Sequence, residues 1–357
     1  MNPNEETERF LRHIIEKEET PGVQYIFFSS DSILYEFSGG IADMETGDTV
    51  TPRHTFNGFS VTKTFTSLAV MQLHETGKLD INRKVSDYTG DFLQGKEITI
   101  KQLINHTAGL SNPLPLNWAH LAEEDPQFNE TEFISRIMKE NSEPDNEPGR
   151  KFSYSNPGYL VLGEIISKVS GLSYRDYIKY NIIQRLDHAD GEYLGFTISD
   201  GLPHSTGYIR KWSFLNLALN FMFDKDKFMG ESAGGWSKFR NFYVDGSAYG
   251  GLIGNARGFA TFLQTVLRQD TLLRKETFGL IFEDQMLSNG KKSEMTLGWF
   301  RGELAGNVFY THAGGGGGYY CEIRIYPGLN KGSVIMFNRT GVSKEDYLDK
   351  VDRFFFE

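Results

Sequence analysis

Ser60 and Lys63 have the residue types and the spacing of a nucleophile and its base. They begin and end the segment Ser60-Val61-Thr62-Lys63, at the predicted start of a helix. Positions i and i+3 lie on one face of a helix, so the Lys63 amine can reach the Ser60 hydroxyl. A serine hydroxyl attacks well only when a neighbouring base takes its proton, and a helix N-terminus adds N–H donors beside a developing oxyanion. The alternative is that Ser60 is only a helix N-cap, the commonest role of serine there.

The S-x-x-K spacing alone is a weak indication of catalysis. A second copy occurs at Ser288-Asn289-Gly290-Lys291. Its Ser-Asn-Gly run is typical of a turn, so we interpret that copy as a solvated loop. Ser60 therefore needs support from other parts of the chain.

Tyr154-Ser155-Asn156 is a second group of residues suited to catalysis. Two Pro-Gly pairs flank it, which places it on a loop before a helix that begins near residue 157. A phenol has an ordinary pKa of about 10, so it is a useful base only where a cation such as Lys63 lowers that pKa. The Asn156 amide can hold a substrate carbonyl or the Lys63 ammonium. The alternative is a core tyrosine followed by a turn asparagine.

His312-Ala313-Gly314-Gly315 ends a predicted strand, and three further glycines and Tyr319 follow it. A glycine-rich strand lets a ligand approach closely, and its edge can present backbone N–H groups to a substrate carbonyl. The alternative is a glycine hairpin with a surface histidine. A phosphate-binding loop is not predicted, because no Gly-Lys-Ser/Thr follows the glycines.

In chain order these three groups resemble the motifs of the β-lactamase and penicillin-binding-protein-like serine hydrolases. S-x-x-K, Y-S-N and H-A-G look like the branch that contains class C β-lactamases, D,D-carboxypeptidases, D-amino-acid amidases and β-lactamase-like esterases. The stretches 79–88, 98–110 and 249–263 also resemble that branch, so the likeness covers about residues 20 to 340. The ordered occurrence of all these pieces is far more specific than any one triplet.

The resemblance implies an acyl-enzyme mechanism centred on Ser60. Ser60 would attack a carbonyl and become acylated, while Lys63 and Tyr154 would share the proton transfers; which of the two is the base stays open. Asn156 would position the substrate.

The glycine-rich strand would supply the rest of the implied site. His312 would line the strand and assist charge balance, and Gly314 would lie beside the substrate. The backbone N–H groups of Ser60 and Gly315 would form the oxyanion hole. Neither a cofactor nor a metal is implied, and the eight histidines lack metal-ligand spacing.

Ser232 is a competing nucleophile, because residues 230–235 read Gly-Glu-Ser-Ala-Gly-Gly. This G-x-S-x-G is similar to the nucleophile elbow of α/β-hydrolases, with His312 downstream and Asp245 or Asp270 as the acid. An elbow needs a buried strand before it, whereas the preceding residues are charged. We therefore interpret Ser232 as a loop serine.

The elements that must position these residues are helices and antiparallel strands. Predicted helices span 4–19, 60–76, 98–105, 129–140, 157–170, 173–181 and 255–268, with a C-terminal helix opened by a capping box of Ser343 and Asp346. Predicted strands span 23–29, 33–41, 295–301, 306–312, 319–326 and 332–338. The sequence thus predicts an α+β fold, in which strands from both ends join one antiparallel sheet flanked by the terminal helices.

The middle of the chain is predicted to form a mostly helical inserted lobe. We expect residues 1–357 to be a single catalytic unit, with an α/β lobe of 1–59 plus 245–357 and a mainly helical lobe of 60–244. A pocket between lobes is a natural place for an active site.

Composition and charge exclude several classes of function. The net charge of −10 argues against nucleic acid or an anionic membrane as a partner, because both attract basic patches. No apolar stretch is long enough for a membrane span, and the N-terminus does not read as a signal peptide. Cys321 is the only cysteine, so an intrachain disulfide is impossible. We expect a cytoplasmic location.

The expected function is hydrolysis of a small ester or amide, which needs no export. The alternatives are a D,D-carboxypeptidase or β-lactamase acting on a β-lactam or peptide, and a catalytically silent binding protein with the same fold. The segment 211–223 is rich in apolar and aromatic residues, and we predict that it lines an acyl-binding pocket through Trp212 and Phe214. A buried helix is the alternative for that segment.

Overall fold

The structure is a computed structural model that describes residues 2–90, 93, 96–114, 117–217, 224–269, 271–340 and 346–356. Its α-helices are α1 Pro3–Glu16, α2 Thr62–Glu75, α3 Ser86–Thr89, α4 Ile100–Ile104, α5 Glu130–Glu140, α6 Asn156–Ser170, α7 Tyr174–Asn181, α8 Lys225–Phe228, α9 Ser247–Gly250, α10 Ala256–Arg268, α11 Lys275–Phe282 and α12 Tyr347–Arg353. Residues 214–217 are also helical.

The strands alternate with these helices mainly at the two ends of the chain. They are β1 Gly22–Ser29, β2 Ile33–Asp43, β3 Asp48–Thr49, β4 Phe56–Asn57, β5 Ala119–Leu121, β6 Leu194–Gly195, β7 Tyr208–Arg210, β8 Met229–Ala233, β9 Trp236–Phe239, β10 Phe242–Val244, β11 Ile253–Gly254, β12 Phe300–Leu304, β13 Asn307–Gly316, β14 Tyr319–Tyr326 and β15 Lys331–Phe337. Short 3-10 turns span Phe59–Val61, Ala122–Gln127, Ile183–Arg185 and Pro327–Leu329.

The main sheet joins the two ends of the chain. It has seven strands in the order β12-β13-β14-β15-β1-β2-β3, and neighbouring strands are antiparallel. β1 pairs with β15 in the register Val23 opposite Phe337, so the first strand of the chain lies beside the last. The predicted α+β fold with an antiparallel sheet is confirmed.

Both faces of the sheet are covered by helices. On one face, apolar side chains of β1 pack against the terminal helices α1 and α12; this cluster contains Leu11, Ile14, Val23, Tyr25, Phe27, Leu348 and Val351. On the other face, the alternate β1 residues Ile26 and Phe28 join the larger core with α2 and α10, where Phe65 and Phe262 stack with ring centroids 3.9 Å apart. This side-to-side alternation follows from the pleat of a strand.

Most predicted elements are confirmed; one strand is shorter than predicted, and several short elements were not predicted. The strand predicted at 295–301 begins only at Phe300, because a turn precedes it. In this turn Thr296 donates its N–H to the Trp299 carbonyl, and Gly298 has a φ of +89°. The predicted capping box depends on Ser343, which lies outside the described residues; Asp346 is the N-cap of α12 and makes no side-chain capping bond. The segment between residues 60 and 254 also holds short strands that the sequence analysis missed.

The division into two lobes at 59/60 and 244/245 stays a prediction. Within the described residues, no helix combines the length and the hydropathy needed to cross a bilayer.

Candidate active site

Ser60 lies in the 3-10 turn that leads directly into α2. The Lys63 amine, one helical turn later, donates a hydrogen bond of 3.0 Å to the Ser60 hydroxyl and another of 2.8 Å to the Tyr249 carbonyl. Gly58 and Val61 flank Ser60 as the N-caps of the turn and of α2, and neither end carries a side-chain capping bond. The Ser60 hydroxyl therefore faces an amine rather than capping a helix.

Lys63 is fully buried among aromatic rings. Its amine lies 4.9, 5.5 and 5.4 Å from the ring centroids of Tyr154, Tyr159 and Tyr249. No ion pair joins Lys63 to a carboxylate in the part of the chain that the structure describes. Burial lowers the pKa of the Lys63 amine well below its ordinary value of 10.5, because an ammonium there loses its hydration. The site thus favours a neutral amine that can accept a proton.

The backbone around Ser60 is held by close packing. Phe59 has a φ of +47°, which is unfavourable for a bulky residue, so the surrounding structure must hold it there. Strand β13 passes so close that a Cβ at Gly314 would be 2.4 Å from the Gly58 carbonyl oxygen and 2.5 Å from the Ser60 nitrogen. Only glycine at position 314 lets the strand edge lie against the nucleophile.

Tyr154 is positioned by His106 on both of its sides. Ser153 donates its backbone N–H to the His106 carbonyl at 2.7 Å, and Ser155 donates its N–H to His106 Nδ1 at 3.0 Å. The His106 ring also lies 4.2 Å from the Tyr154 ring, centroid to centroid. His106 itself has a φ of +56°. A strained histidine after α4 thus directs the Tyr154 ring toward Lys63.

Asn156 and His312 complete the predicted set of side chains. Asn156 opens α6 and receives its backbone support from Asn112, whose Oδ1 accepts its N–H at 3.0 Å. His312 is fully buried on β13 and stacks on Phe300, and neither of its ring nitrogens has a partner among the described residues. Burial, with Lys63 nearby, lowers the pKa of His312 to about 3. This favours a neutral His312 ring near pH 7, and the charge-balancing role that the resemblance implied stays a prediction.

Two cavities meet at Ser60 and Gly315. The first, of about 270 Å³, we call the aromatic cavity; its lining includes Phe59, Trp118, Ala119, Asn156, Leu215, Phe228, Phe239, Phe242, Val244 and Tyr249. The second, of about 500 Å³, we call the strand-edge cavity; its lining includes Tyr154, Phe300, Phe309, Thr311, His312, Ala313, Gly314, Glu322, Arg324 and Asp349. A substrate carbonyl at Ser60 would extend one group into each cavity.

The family follows from the match of the whole chain. The family model described as Beta-lactamase matches residues 7–354. The chain belongs to the β-lactamase family. The motifs of Ser60, Lys63 and Tyr154 resemble those of this family, and the structure brings the three side chains close to one another.

Known proteins of related sequence and fold agree with this membership. Penicillin-binding protein 4* of Bacillus subtilis is 26% identical over 311 residues, which are 86% of this chain and 66% of that protein, so the chain spans just under two thirds of that relative. The octameric penicillin-binding protein homologue of Pyrococcus abyssi is 22% identical with a TM-score of 0.78, covering 99% of this chain and 77% of the other. The D-amino acid amidase of Ochrobactrum anthropi SV3 is 18% identical with a TM-score of 0.76, covering 99% and 96%. At these identities the two solved structures show the fold.

The competing serines lie in other settings in this β-lactamase-family chain. Ser232 is on β8, in a hairpin with β9, and its hydroxyl is 3.0 Å from the Ser237 hydroxyl. It is therefore a strand residue rather than a loop serine, and no elbow between a strand and a helix surrounds it. Asp245 pairs with His120 at 2.6 Å instead of with His312, and Asp270 lies outside the described residues. Ser288 starts a turn that Gly290 closes with a φ of +77°, as predicted.

The segment 211–223 contributes less to the pocket than predicted. Leu215 lines the aromatic cavity, but Trp212 and Phe214 are 90% and 86% exposed. Residues 218–223 lie outside the described part of the chain. The expectation that Trp212 and Phe214 line the pocket is therefore wrong; aromatic side chains of β9, β10 and α8 form its wall instead.

The sequence analysis missed the residues that surround the Lys63 amine. Tyr249 supplies a carbonyl acceptor and Tyr159 a ring, and His106 sets the Tyr154 backbone. The stretches that contain them, 98–110, 157–170 and 249–263, were noted as elements or family-like segments. Their roles depend on contacts between segments 49 to 186 residues apart, which no local pattern reveals.

Proposed function

We propose that this chain is a serine hydrolase that cleaves small esters or amides through an acyl-enzyme on Ser60. The observation that carries the proposal is the 3.0 Å hydrogen bond from a buried, carboxylate-free Lys63 amine to the Ser60 hydroxyl, at the junction of two cavities. A serine becomes nucleophilic when a neighbouring base accepts its proton, and a neutral amine is such a base.

Lys63 is proposed as the base of acylation. It takes the Ser60 proton while the Ser60 oxygen forms a bond to the substrate carbonyl carbon. The backbone N–H groups of Ser60 and Gly315 stabilise the resulting oxyanion. Tyr154 donates its phenol proton to the leaving atom as the bond between that atom and the carbonyl carbon breaks, and it regains a proton from Lys63.

Deacylation repeats the proton transfers with water as the nucleophile. Water gives a proton to the same base and attacks the acyl carbonyl, after which the Ser60 oxygen leaves as a hydroxyl and the carboxylic acid is released. Asn156 would hold the substrate on the side of the aromatic cavity. Neither step consumes a cofactor or metal in this proposal.

Tyr154 determines which cavity takes which part of the substrate. A general acid must touch the leaving atom, and Tyr154 lines the strand-edge cavity. The leaving group therefore occupies that cavity, and the acyl group occupies the aromatic cavity on the other side of Ser60. The acyl group is accordingly expected to be apolar and about as large as a phenyl or branched aliphatic group.

Matched serine variants test the nucleophile. Ser60→Ala, Ser232→Ala and the parent protein are assayed on the p-nitrophenyl ester of 3-phenylpropanoic acid, and a fluorophosphonate label is located by mass spectrometry. We expect loss of hydrolysis and of labelling in Ser60→Ala alone. Retained hydrolysis in Ser60→Ala would overturn the proposal, and an unlabelled, inactive parent protein would favour a silent binding protein.

A substrate panel separates the alternatives within the family. Nitrocefin, D-alanyl peptides and 3-phenylpropanoyl esters and amides are compared at equal concentrations. The proposal expects the highest kcat/KM for the aromatic esters or amides. Faster turnover of nitrocefin or of D-alanyl peptides would assign a β-lactamase or a D,D-carboxypeptidase instead.

A further inference from the structure

The strand-edge cavity has an uneven distribution of charge. Its charged lining consists of two carboxylates, Glu322 and Asp349, and one guanidinium, Arg324. His312 on its wall and Lys63 beside Ser60 are buried, which lowers the pKa of both groups and disfavours their charged forms. The sum of charges on the cavity wall is therefore negative.

The two terminal nitrogens of Arg324 are already occupied, and its buried Nε has no partner among the described residues. One terminal nitrogen donates to Glu322 at 2.8 Å and the other to Asp349 at 2.6 Å, while Phe309 covers its carbon at 3.9 Å from the ring centroid. The Arg324 side chain is only 2% exposed. A substrate carboxylate would have to displace a protein carboxylate to reach either terminal nitrogen.

Glu322 is also fully engaged, unlike Asp349. The Glu322 side chain is 3% exposed and accepts bonds from Thr311, Tyr320 and Arg324. The Asp349 side chain is 44% exposed and uses one oxygen for Arg324. The charge that a substrate in this cavity meets is therefore the Asp349 carboxylate.

The cavity also reaches the reacting atoms. Ser60 and Tyr154 lie on its wall together with Asp349, and it follows the edge of β13 beyond Thr311, where the pairing with β12 ends. Inside it, the buried His312 ring presents two nitrogens that have no partner among the described residues. A polar leaving group can thus bond to the wall while its far end approaches Asp349.

We propose that the strand-edge cavity is a leaving-group subsite that selects cationic leaving groups and disfavours those that carry a carboxylate, with Asp349 as the specificity-determining residue. The substrate class is an ester or amide whose leaving group bears an ammonium at its far end. This inference rests on the proposed function, because it uses Ser60 and Tyr154 to orient the substrate. It separates this chain from enzymes whose leaving groups end in a carboxylate.

Three esters with the same 3-phenylpropanoyl group test the charge preference. Their alcohols are choline, its neutral isostere 3,3-dimethylbutanol, and 3-hydroxypropanoate. For each protein variant, the ratios of kcat/KM for the charged and neutral esters are compared with those of the parent, which cancels differences in intrinsic reactivity. Asp349→Asn is expected to lower the cation-to-neutral ratio about fivefold and to raise the carboxylate-to-neutral ratio by a similar factor.

Two controls separate the charge of Asp349 from general effects. Asp346→Asn removes a partly exposed carboxylate at the start of the same helix but outside the cavity lining, so the ratios should stay as in the parent. Asp349→Glu keeps the charge and should retain most of the preference. If Asp349→Asn fails to fold, raising the salt concentration on the parent should lower its cation-to-neutral ratio.

The outcomes distinguish this inference from the proposed function. Unchanged ratios in Asp349→Asn, or salt-independent ratios in the parent, would overturn the leaving-group inference while loss of hydrolysis in Ser60→Ala still supported the serine mechanism. Retained hydrolysis in Ser60→Ala would overturn both.

Discussion

Two groups of buried polar side chains lie on opposite faces of strands β13 and β14. The active-site group consists of Lys63, His106 and His312, and among the described residues none of them pairs with a carboxylate. The terminal-helix group consists of Glu322, Arg324 and Asp352, and its members form charged hydrogen bonds under α12; Glu322 and Arg324 also line the far end of the strand-edge cavity. Both groups are equally removed from water.

The two groups differ in whether their ionisable side chains have hydrogen-bonding partners that stabilise a charge. Asp352 accepts bonds from Tyr25 at 2.8 Å, Tyr326 at 2.8 Å and Ser333 at 2.6 Å, so its carboxylate is well satisfied. Burial nevertheless raises the pKa of Asp352 to about 6. The terminal-helix group therefore stabilises the fold only while all its partners are present. The active-site group lacks such partners, and burial lowers the pKa of each of its members, which favours their neutral forms.

Replacing Lys63 should have the largest effect on activity. Lys63→Met removes the proposed base, so kcat/KM on an aromatic ester should fall by about a thousandfold or more. The folded chain gives up the Lys63 proton at a lower pH than the unfolded chain, whose lysine holds it until about 10.5. Stability of the parent therefore rises with pH inside that window, and Lys63→Met should lack the rise. Steady-state kinetics and denaturant titrations at several pH values measure both effects.

Lys63→Arg is the matched control, because it carries a positive charge at this position but cannot act as a base. A guanidinium stays protonated in proteins, so it cannot serve as the base, and burying it without a carboxylate should destabilise the fold. Full activity in Lys63→Arg would show that the base is another group, with Tyr154 the first alternative.

Replacing Asp352 should lower the stability of the fold and leave the activity of the folded protein nearly unchanged. Asp352→Ala leaves three buried hydroxyls without their acceptor, and we expect a loss of about 3 kcal/mol in the free energy of unfolding. Asp352 does not line either cavity, so kcat/KM of the folded fraction should remain near that of the parent. Urea denaturation gives the first quantity. The exposed Asp346→Ala, as the control, should change stability by less than about 0.5 kcal/mol; a large activity loss in Asp352→Ala at full folding would contradict the separation of the two groups.

The sequence indicated the candidate catalytic residues but not the residues that surround them. The i, i+3 spacing of Ser60 and Lys63 on a helix is local, so the pair could be recognised from the chain alone. The presence of Tyr154 and of the His312 strand near Ser60 was inferred from the resemblance of the ordered motifs to those of the family. The Tyr249 carbonyl, the strained backbone of His106 and the arginine clamp around Arg324 depend on contacts between distant segments, and no periodic pattern encodes them. The exposed Trp212 and Phe214 show that apolar composition alone does not place a side chain in a pocket.

Replacing His106 tests whether the active site depends on the positioning of Tyr154 as well as on the lowered pKa of Lys63. His106→Asn keeps a residue type that tolerates a positive φ, but it removes the ring beside Tyr154 and the Nδ1 acceptor for the Ser155 N–H. We expect kcat to fall about tenfold with a smaller change in KM, because Tyr154 would be held less well. Kinetics with a good and a poor leaving group measure this. A loss that is equal for both leaving groups would indicate general destabilisation instead of misplacement of the proton donor.

The smallest effect is expected for His312→Gln on the pH midpoint of kcat/KM. The rise of kcat/KM with pH should follow deprotonation of Lys63, and its midpoint should lie well below 10.5 because burial lowers the pKa of that amine. His312, with its pKa lowered to about 3, is neutral throughout the working range and cannot repel or balance the Lys63 charge there. His312→Gln should therefore shift the midpoint by less than about 0.3 pH units, even if the rate itself falls. A shift of one unit or more would mean that His312 carries a charge at neutral pH, and the charge-balancing role implied by the family resemblance would then be correct.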